Sequence, residues 1–76
     1  MKFVASYLIA LFNKEDYISA CVKSILDEQT SEIDIEIIVV DDGSTDKSYQ
    51  VALELSRRFK CIKLYSFKKN RGFTIQ

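Results

Sequence analysis

Apolar positions along this chain fall into three short runs separated by two stretches with helical spacing. Residues 3–11, FVASYLIAL, are mostly apolar and include β-branched and aromatic members, which predicts a strand buried on both faces. Residues 35–40, IEIIVV, predict a second strand covered in the same way. Residues 61–67, CIKLYSF, alternate more strongly, as an edge strand does. Between the first two runs, Tyr17, Ile18, Cys21, Val22, Ile25 and Leu26 recur at helical spacing, with Lys23, Ser24 and Asp27 on the wet face. That helix is predicted over about 14–28. Asn13 is placed to cap it, and Glu15 and Asp16 complement the positive end of its dipole. Val51, Ala52, Leu55 and Phe59 mark the buried stripe of a second helix over about 45–59, with Ser44 or Thr45 as its cap.

The connections are short. QTSEID (29–34) is a polar link, DDGST (41–45) a tight turn in which Gly43 permits the reversal, and KKNRG (68–72) a loop. FTIQ (73–76) begins an element that the chain does not finish. The order is β-α-β-α-β, an α/β pattern that implies parallel strands with right-handed crossovers. Each crossover steps to the next position, so the predicted strand order is 3-2-1. No internal repeat, linker or low-complexity segment interrupts it.

At 76 residues the chain suits one small domain, residues 1–76, which buries only about 60% of its unfolded surface. A content of 47% hydrophobic and 29% charged residues argues against disorder. Eleven basic and eleven acidic residues cancel, so no global field draws the chain to nucleic acid or an anionic membrane. The local excess in FKKNRG reads as a solvated loop. With no histidine and two cysteines forty residues apart, neither a zinc site nor a disulfide framework is expected; Cys21 and Cys61 fall in apolar patterns. A reducing cytoplasm fits. The opening MKFVASYLIALFN has the charge and apolar run of a secretory signal, but NKED follows with no small-residue cleavage site. A buried strand explains it better.

The chemistry concentrates in IIVVDDGSTD (37–46). In open α/β sheets ligands bind outside the carboxyl ends of the strands, and Asp41 and Asp42 stand at such an end, so both side chains are expected to point into a crevice and not into the core. Carboxylates repel phosphate, and one glycine does not make a phosphate loop. They do accept hydrogen bonds from a ligand N–H or from ribose hydroxyls, so they point to recognition of a base or sugar. Two adjacent acids exceed what one cap requires. Asp46 reads as an ordinary acid at the start of the next helix, and DIE (34–36), at the opposite end of its strand, as structural.

EIIVVDDGSTD (36–46) resembles the first acidic motif of the family 2 inverting glycosyltransferases, whose catalytic domain has the GT-A fold. SYLIALFNKEDYISACVKSILDEQT (6–30) resembles that family's opening strand, aromatic-Asn-acidic turn and first helix. CIKLYSFKKNRG (61–72) resembles its third strand and the start of an Asn-x-Gly loop. The similarity covers nearly the whole chain. It implies a partial Rossmann-like layer, an incomplete nucleotide-sugar-binding subdomain of a glycosyltransferase catalytic domain. Such enzymes transfer a sugar from a nucleotide-diphosphate donor, here a UDP-sugar by expectation, to an acceptor hydroxyl with inversion.

Carried onto this chain, the resemblance implies that Asp42 accepts the base N–H and that Asp41 lies beside it. Phe12 stands where the family has an aromatic residue that can lie against the base. Ala10 and Leu11 stand where the family usually has proline or a hydroxyl residue just after the first strand, and Ala10 is counted with Asp41, Asp42 and Phe12 among the implied nucleotide-binding residues. The family's metal-binding Asp-x-Asp motif and its catalytic base lie further along a complete domain. No catalytic or metal-ligating residue is therefore expected in these 76 residues, and a divalent Mg or Mn ion is expected only for the complete domain. The chain alone is expected to be inactive. In the family the first strand is interior; here its open side implies self-association. The rival reading is a non-catalytic nucleotide-binding or protein-interaction module with a remnant fold.

Overall fold

The computed structural model describes residues 3–68 and 72–75. The chain runs β1 (Phe3–Leu11), α1 (Ile18–Leu26), β2 (Ile33–Asp41), α2 (Ser48–Arg58), β3 (Ile62–Lys68) and β4 (Gly72–Ile75). The four strands form one sheet in the order β1-β2-β3-β4. β1 pairs with β2 and β2 with β3 in parallel, as the alternating pattern required. The α/β class and the 3-2-1 order of the first three strands are therefore those read from the sequence.

Two strand expectations change. β3 is not an edge, because β4 adds antiparallel on its outer side, pairing Tyr65 with Ile75 and Lys68 with Gly72. The segment read as unfinished is thus a strand. Of the predicted KKNRG loop, residues 69–71 lie outside the described residues. Coverage on both faces also fails. Leu11 of β1, Ile35, Ile37 and Val39 of β2, and Ile62 and Leu64 of β3 form one buried cluster with Ile18 and Val22 of α1 and Ala52 and Leu55 of α2. These are the strand positions of a single parity, so both helices pack on one face. On β1 the opposite parity is bare, with Leu8 73% exposed. The reason is topological: successive right-handed crossovers that step in one direction place both helices on the same side.

Both helices are shorter than their apolar stripes suggested. Lys14 C=O accepts from the N–H groups of Tyr17 and Ile18, so a turn precedes α1. Glu15 and Asp16 lie in that turn, and no acid stands in the first turn of α1. Neither helix has a side-chain cap at its own N-terminus; the cap positions are Tyr17 and Lys47. The expected caps Asn13, Ser44 and Thr45 are used elsewhere.

Candidate functional site

The loops leaving β1 and β2 lock into each other. Leu11 and Asp41 are register partners at the carboxyl ends of their strands, and Asp42 N–H donates to Leu11 C=O at 2.9 Å. Asn13 then turns back with φ 50, a left-handed conformation that Asn tolerates better than most residues. Its Oδ1 accepts from Thr45 N–H at 2.8 Å, and from the Thr45 hydroxyl and Asp46 N–H at 3.3 Å. In return, Ser44 Oγ accepts from Asn13 N–H at 3.1 Å. Ser48 Oγ accepts from Lys14 N–H at 2.7 Å, and Asp46 Oδ2 from Glu15 N–H at 3.3 Å. Asn13 is therefore a cap, but for the neighbouring loop, while Ser48 and Asp46 satisfy free amides ahead of α1. Local spacing did not reveal this, because each donor lies about thirty residues from its acceptor.

This lock sets the surroundings of the two acids. The expectation that both acids point into the crevice fails for Asp41: strand alternation carries it onto the helix-covered face with Ile37 and Val39, and it is only 3% exposed. Asp41 Oδ2 accepts from Ser44 N–H at 3.4 Å, whereas Oδ1 is buried without a hydrogen-bond partner. Its register partner on β3 is Ser66, also buried. Burial raises the Tyr49 hydroxyl above its ordinary pKa, and the Asp41 carboxylate raises it further against the opposing pull of Arg57. Asp42 is exposed, and its side chain makes no hydrogen bond among the described residues. Gly43 follows with φ 73 and open space where a Cβ would stand, so its glycine serves the backbone conformation alone.

Phe12 is 52% exposed, directly after the Leu11–Asp41 pair. Ala10 is exposed on the sheet face away from the helices. The fold thus gathers Ala10, Phe12 and Asp42 at the carboxyl end of β1 and β2, while Asp41 turns inward beneath them. An open apolar cavity of about 100 Å³ lies nearby, lined by Ile9, Ala10, Leu11, Lys14, Tyr17, Ile18 and Cys21. It takes in Ala10 but neither acid.

Asp46 is built into the lock. Desolvation pushes its carboxyl upward, but hydrogen bonds from Ser48, from the Glu15 amide and from its own amide outweigh this and hold it below the usual value. Among the described residues no three His, Cys, Asp or Glu side chains converge as a metal site. No helix of the described residues is long and apolar enough to cross a membrane.

The sequence motif and this geometry meet in comparison with known proteins. A family model described as glycosyl transferase family 2 matches residues 6–76. The chain belongs to glycosyl transferase family 2. It is 41% identical over 70 residues to an uncharacterized glycosyltransferase of Haemophilus influenzae, covering 92% of this chain and 21% of that protein. It is 33% identical over 73 residues to a cholesterol galactosyltransferase of Borreliella burgdorferi, covering 96% of this chain and 20% of the relative. A poly(ribitol-phosphate) beta-glucosyltransferase of Bacillus spizizenii is 33% identical over 67 residues, 88% of this chain and 11% of that protein. The chain thus spans about a fifth or less of the length of these relatives. Within this family 2 segment, the acidic motif is the end of β2 and the aromatic-Asn turn is the loop locked against it.

Proposed function

We propose that this chain forms the nucleotide-binding part of a family 2 sugar-transfer domain. Asp42 accepts the base N–H of a uridine diphosphate sugar, and the Phe12 ring lies against the base. Ala10 borders the nucleoside on the exposed sheet face. Asp41 supports the turn from below. The observation that carries this reading is Asp42 itself: an exposed carboxylate, unpaired among the described residues, at the carboxyl end of an interior parallel strand and beside an exposed aromatic ring. The adjacent Asp41 fills the buried position, so the pair divides into one inward and one outward acid. In the complete reaction the donor sugar passes to an acceptor hydroxyl with inversion at its anomeric carbon. That step needs a base for the acceptor proton and a counter-charge for the leaving diphosphate. These 76 residues supply neither, and the chain alone turns over no nucleotide sugar. A cytoplasmic setting suits a nucleotide-sugar donor. The reading includes self-association through β1, whose outer side has no neighbouring strand among the described residues.

Calorimetric titration of uridine and guanosine diphosphates into the wild type and Asp42→Ala tests the reading. Saturable binding of the uridine compound that disappears in Asp42→Ala supports it. Absence of binding overturns it and leaves the rival, a remnant fold acting through a partner. Turnover of any nucleotide sugar by the purified chain overturns the inactivity.

A further inference from the structure

Phe12 and Asp42 belong to one closed circuit of chain and hydrogen bonds. Leu11 C=O accepts from Asp42 N–H at 2.9 Å, and Ser44 Oγ accepts from Asn13 N–H at 3.1 Å. The first closure joins Leu11 to Asp42 and the second joins Asn13 to Ser44. Phe12 therefore stands on one arm, Gly43 on the other, and Asp42 at a corner. Neither exposed side chain takes part: Asp42 enters through its main-chain N–H, and Phe12 is held by its two chain neighbours. Further contacts brace the circuit. Asn13 Oδ1 accepts from Thr45 N–H at 2.8 Å and from Asp46 N–H at 3.3 Å. Ser44 N–H donates to the buried Asp41 carboxylate at 3.4 Å, which seats the circuit on the core. All of these contacts run between residues 11 and 46, none of them at the outer side of β1. Exposed loops at strand ends are ordinarily among the loosest parts of a fold, whereas these two are tied to each other in both directions.

We infer that Asn13 and Ser44 are positioning residues: they hold Phe12 and Asp42 at a fixed spacing before any nucleotide arrives, so that the base enters a slot already formed. This rests on the reading that Phe12 and Asp42 take the base. It goes beyond that reading by assigning the spacing to two side chains that do not contact the base. The physical ground is entropy. A base held between an aromatic ring on one loop and a carboxylate on another requires both loops to be ordered. Fixing the backbone of one residue lowers an equilibrium constant by about fivefold to thirtyfold. In a locked pair of loops that cost falls on folding and not on binding. Asn13 suits the task on two counts. Its φ of 50 reverses the chain directly after Phe12, and its Oδ1 reaches back to the second loop. Ser44 supplies the complementary acceptor, one residue beyond the glycine that turns the second loop. Because Asp42 joins the circuit through its amide, removal of its carboxylate leaves the circuit closed.

Amide relaxation of the full chain, without ligand and then titrated with uridine diphosphate, tests this. In the free wild type the amides of Phe12, Asn13 and Asp42 are expected to have order parameters of about 0.85, as in a rigid backbone, and Asp42→Ala to keep them. In the double variant Asn13→Gly, Ser44→Ala they are expected to fall below about 0.6, with the circular dichroism spectrum unchanged. The dissociation constant for uridine diphosphate is expected to rise about fivefold in each single variant and about thirtyfold in the double one. Asn13→Asp and Ser44→Thr, which keep the acceptors, should restore both rigidity and affinity, read in about 0.15 M salt to screen the added charge. A free wild type already mobile at Phe12 and Asp42 overturns the inference, whatever it binds. Variants that loosen the loops yet bind as tightly as wild type also overturn it, and leave the nucleotide reading standing. A rigid wild type with no saturable response to the diphosphate overturns the nucleotide reading, and the positioning role falls with it.

Discussion

Replacing Asn13 separates the two physical roles of the lock between the β1 and β2 loops. Asn13 Oδ1 accepts from two backbone amides, Thr45 at 2.8 Å and Asp46 at 3.3 Å, at an exposed site. Hydrogen bonds contribute about 0.5–1.5 kcal/mol each, and exposure argues for the low end, so the pair contributes about 1 kcal/mol. The backbone adds a second contribution. At φ 50, alanine is disfavoured by about 1 kcal/mol relative to residues that tolerate the left-handed region. Asn13→Ala should therefore cost about 2 kcal/mol. A domain of this size has a total stability of about 4–11 kcal/mol, so that loss lowers the melting temperature by about 8–16 °C. Asn13→Gly keeps the backbone and loses the acceptor, for about 1 kcal/mol. Asn13→Asp keeps both and should stay within about 0.5 kcal/mol of wild type. Urea unfolding followed by circular dichroism reads all three. Equal losses in Ala and Gly would refute the backbone contribution, and an Asp variant as unstable as Ala would refute the acceptor role.

Other outcomes follow from the same structure. Asp41→Asn replaces a buried carboxyl whose Oδ1 has no partner by an amide facing Ser66, and should raise stability by about 1 kcal/mol in urea unfolding; a clear loss would contradict the burial argument. Gly43→Ala meets open space but a φ of 73, so it should cost about 1 kcal/mol without altering the spectrum of the fold. Ile37→Ala empties a fully buried position between β1 and β3 and should cost about 2–5 kcal/mol in urea unfolding; a loss well under about 1 kcal/mol would contradict the placement of the core. The carboxyl of Asp46 is held below its ordinary value in the folded state. Its contribution is thus present above the ordinary carboxylate pKa of about 4 and lost as pH falls through the lower folded value. Urea midpoints measured down the acid limb should fall less steeply in Asp46→Asn than in wild type.

Much of this was legible in the chain. The apolar runs located three strands because each buries one face in the core, and the helix between successive strands implied parallel pairing. The inward turn of Asp41 was missed, because both acids read as crevice groups, although the period of two that buries Ile35, Ile37 and Val39 carries Asp41 to the same face. The single-sided sheet was implicit in the 3-2-1 order, yet the continuous apolar run of β1 suggested two covered faces, and hydrophobicity does not distinguish a covered face from a bare one. Asn13, Ser44, Asp46 and Ser48 were readable as polar turn residues but not as partners, because capping rules look three or four residues along the chain and these contacts cross between loops. β4 has four residues and gains its order from pairing with β3, so its own sequence carried little signal.

The place where nucleotide meets protein can be read residue by residue from amide chemical shifts during titration with uridine diphosphate. Phe12, Asp42 and Gly43, at the carboxyl ends of β1 and β2, should shift and saturate together, while Ile33 and Ile62 at the opposite ends stay fixed, and Asp42→Ala should abolish the response. Absent shifts, or shifts confined to the far ends of the strands, would contradict a nucleoside held by the outward acid of β2.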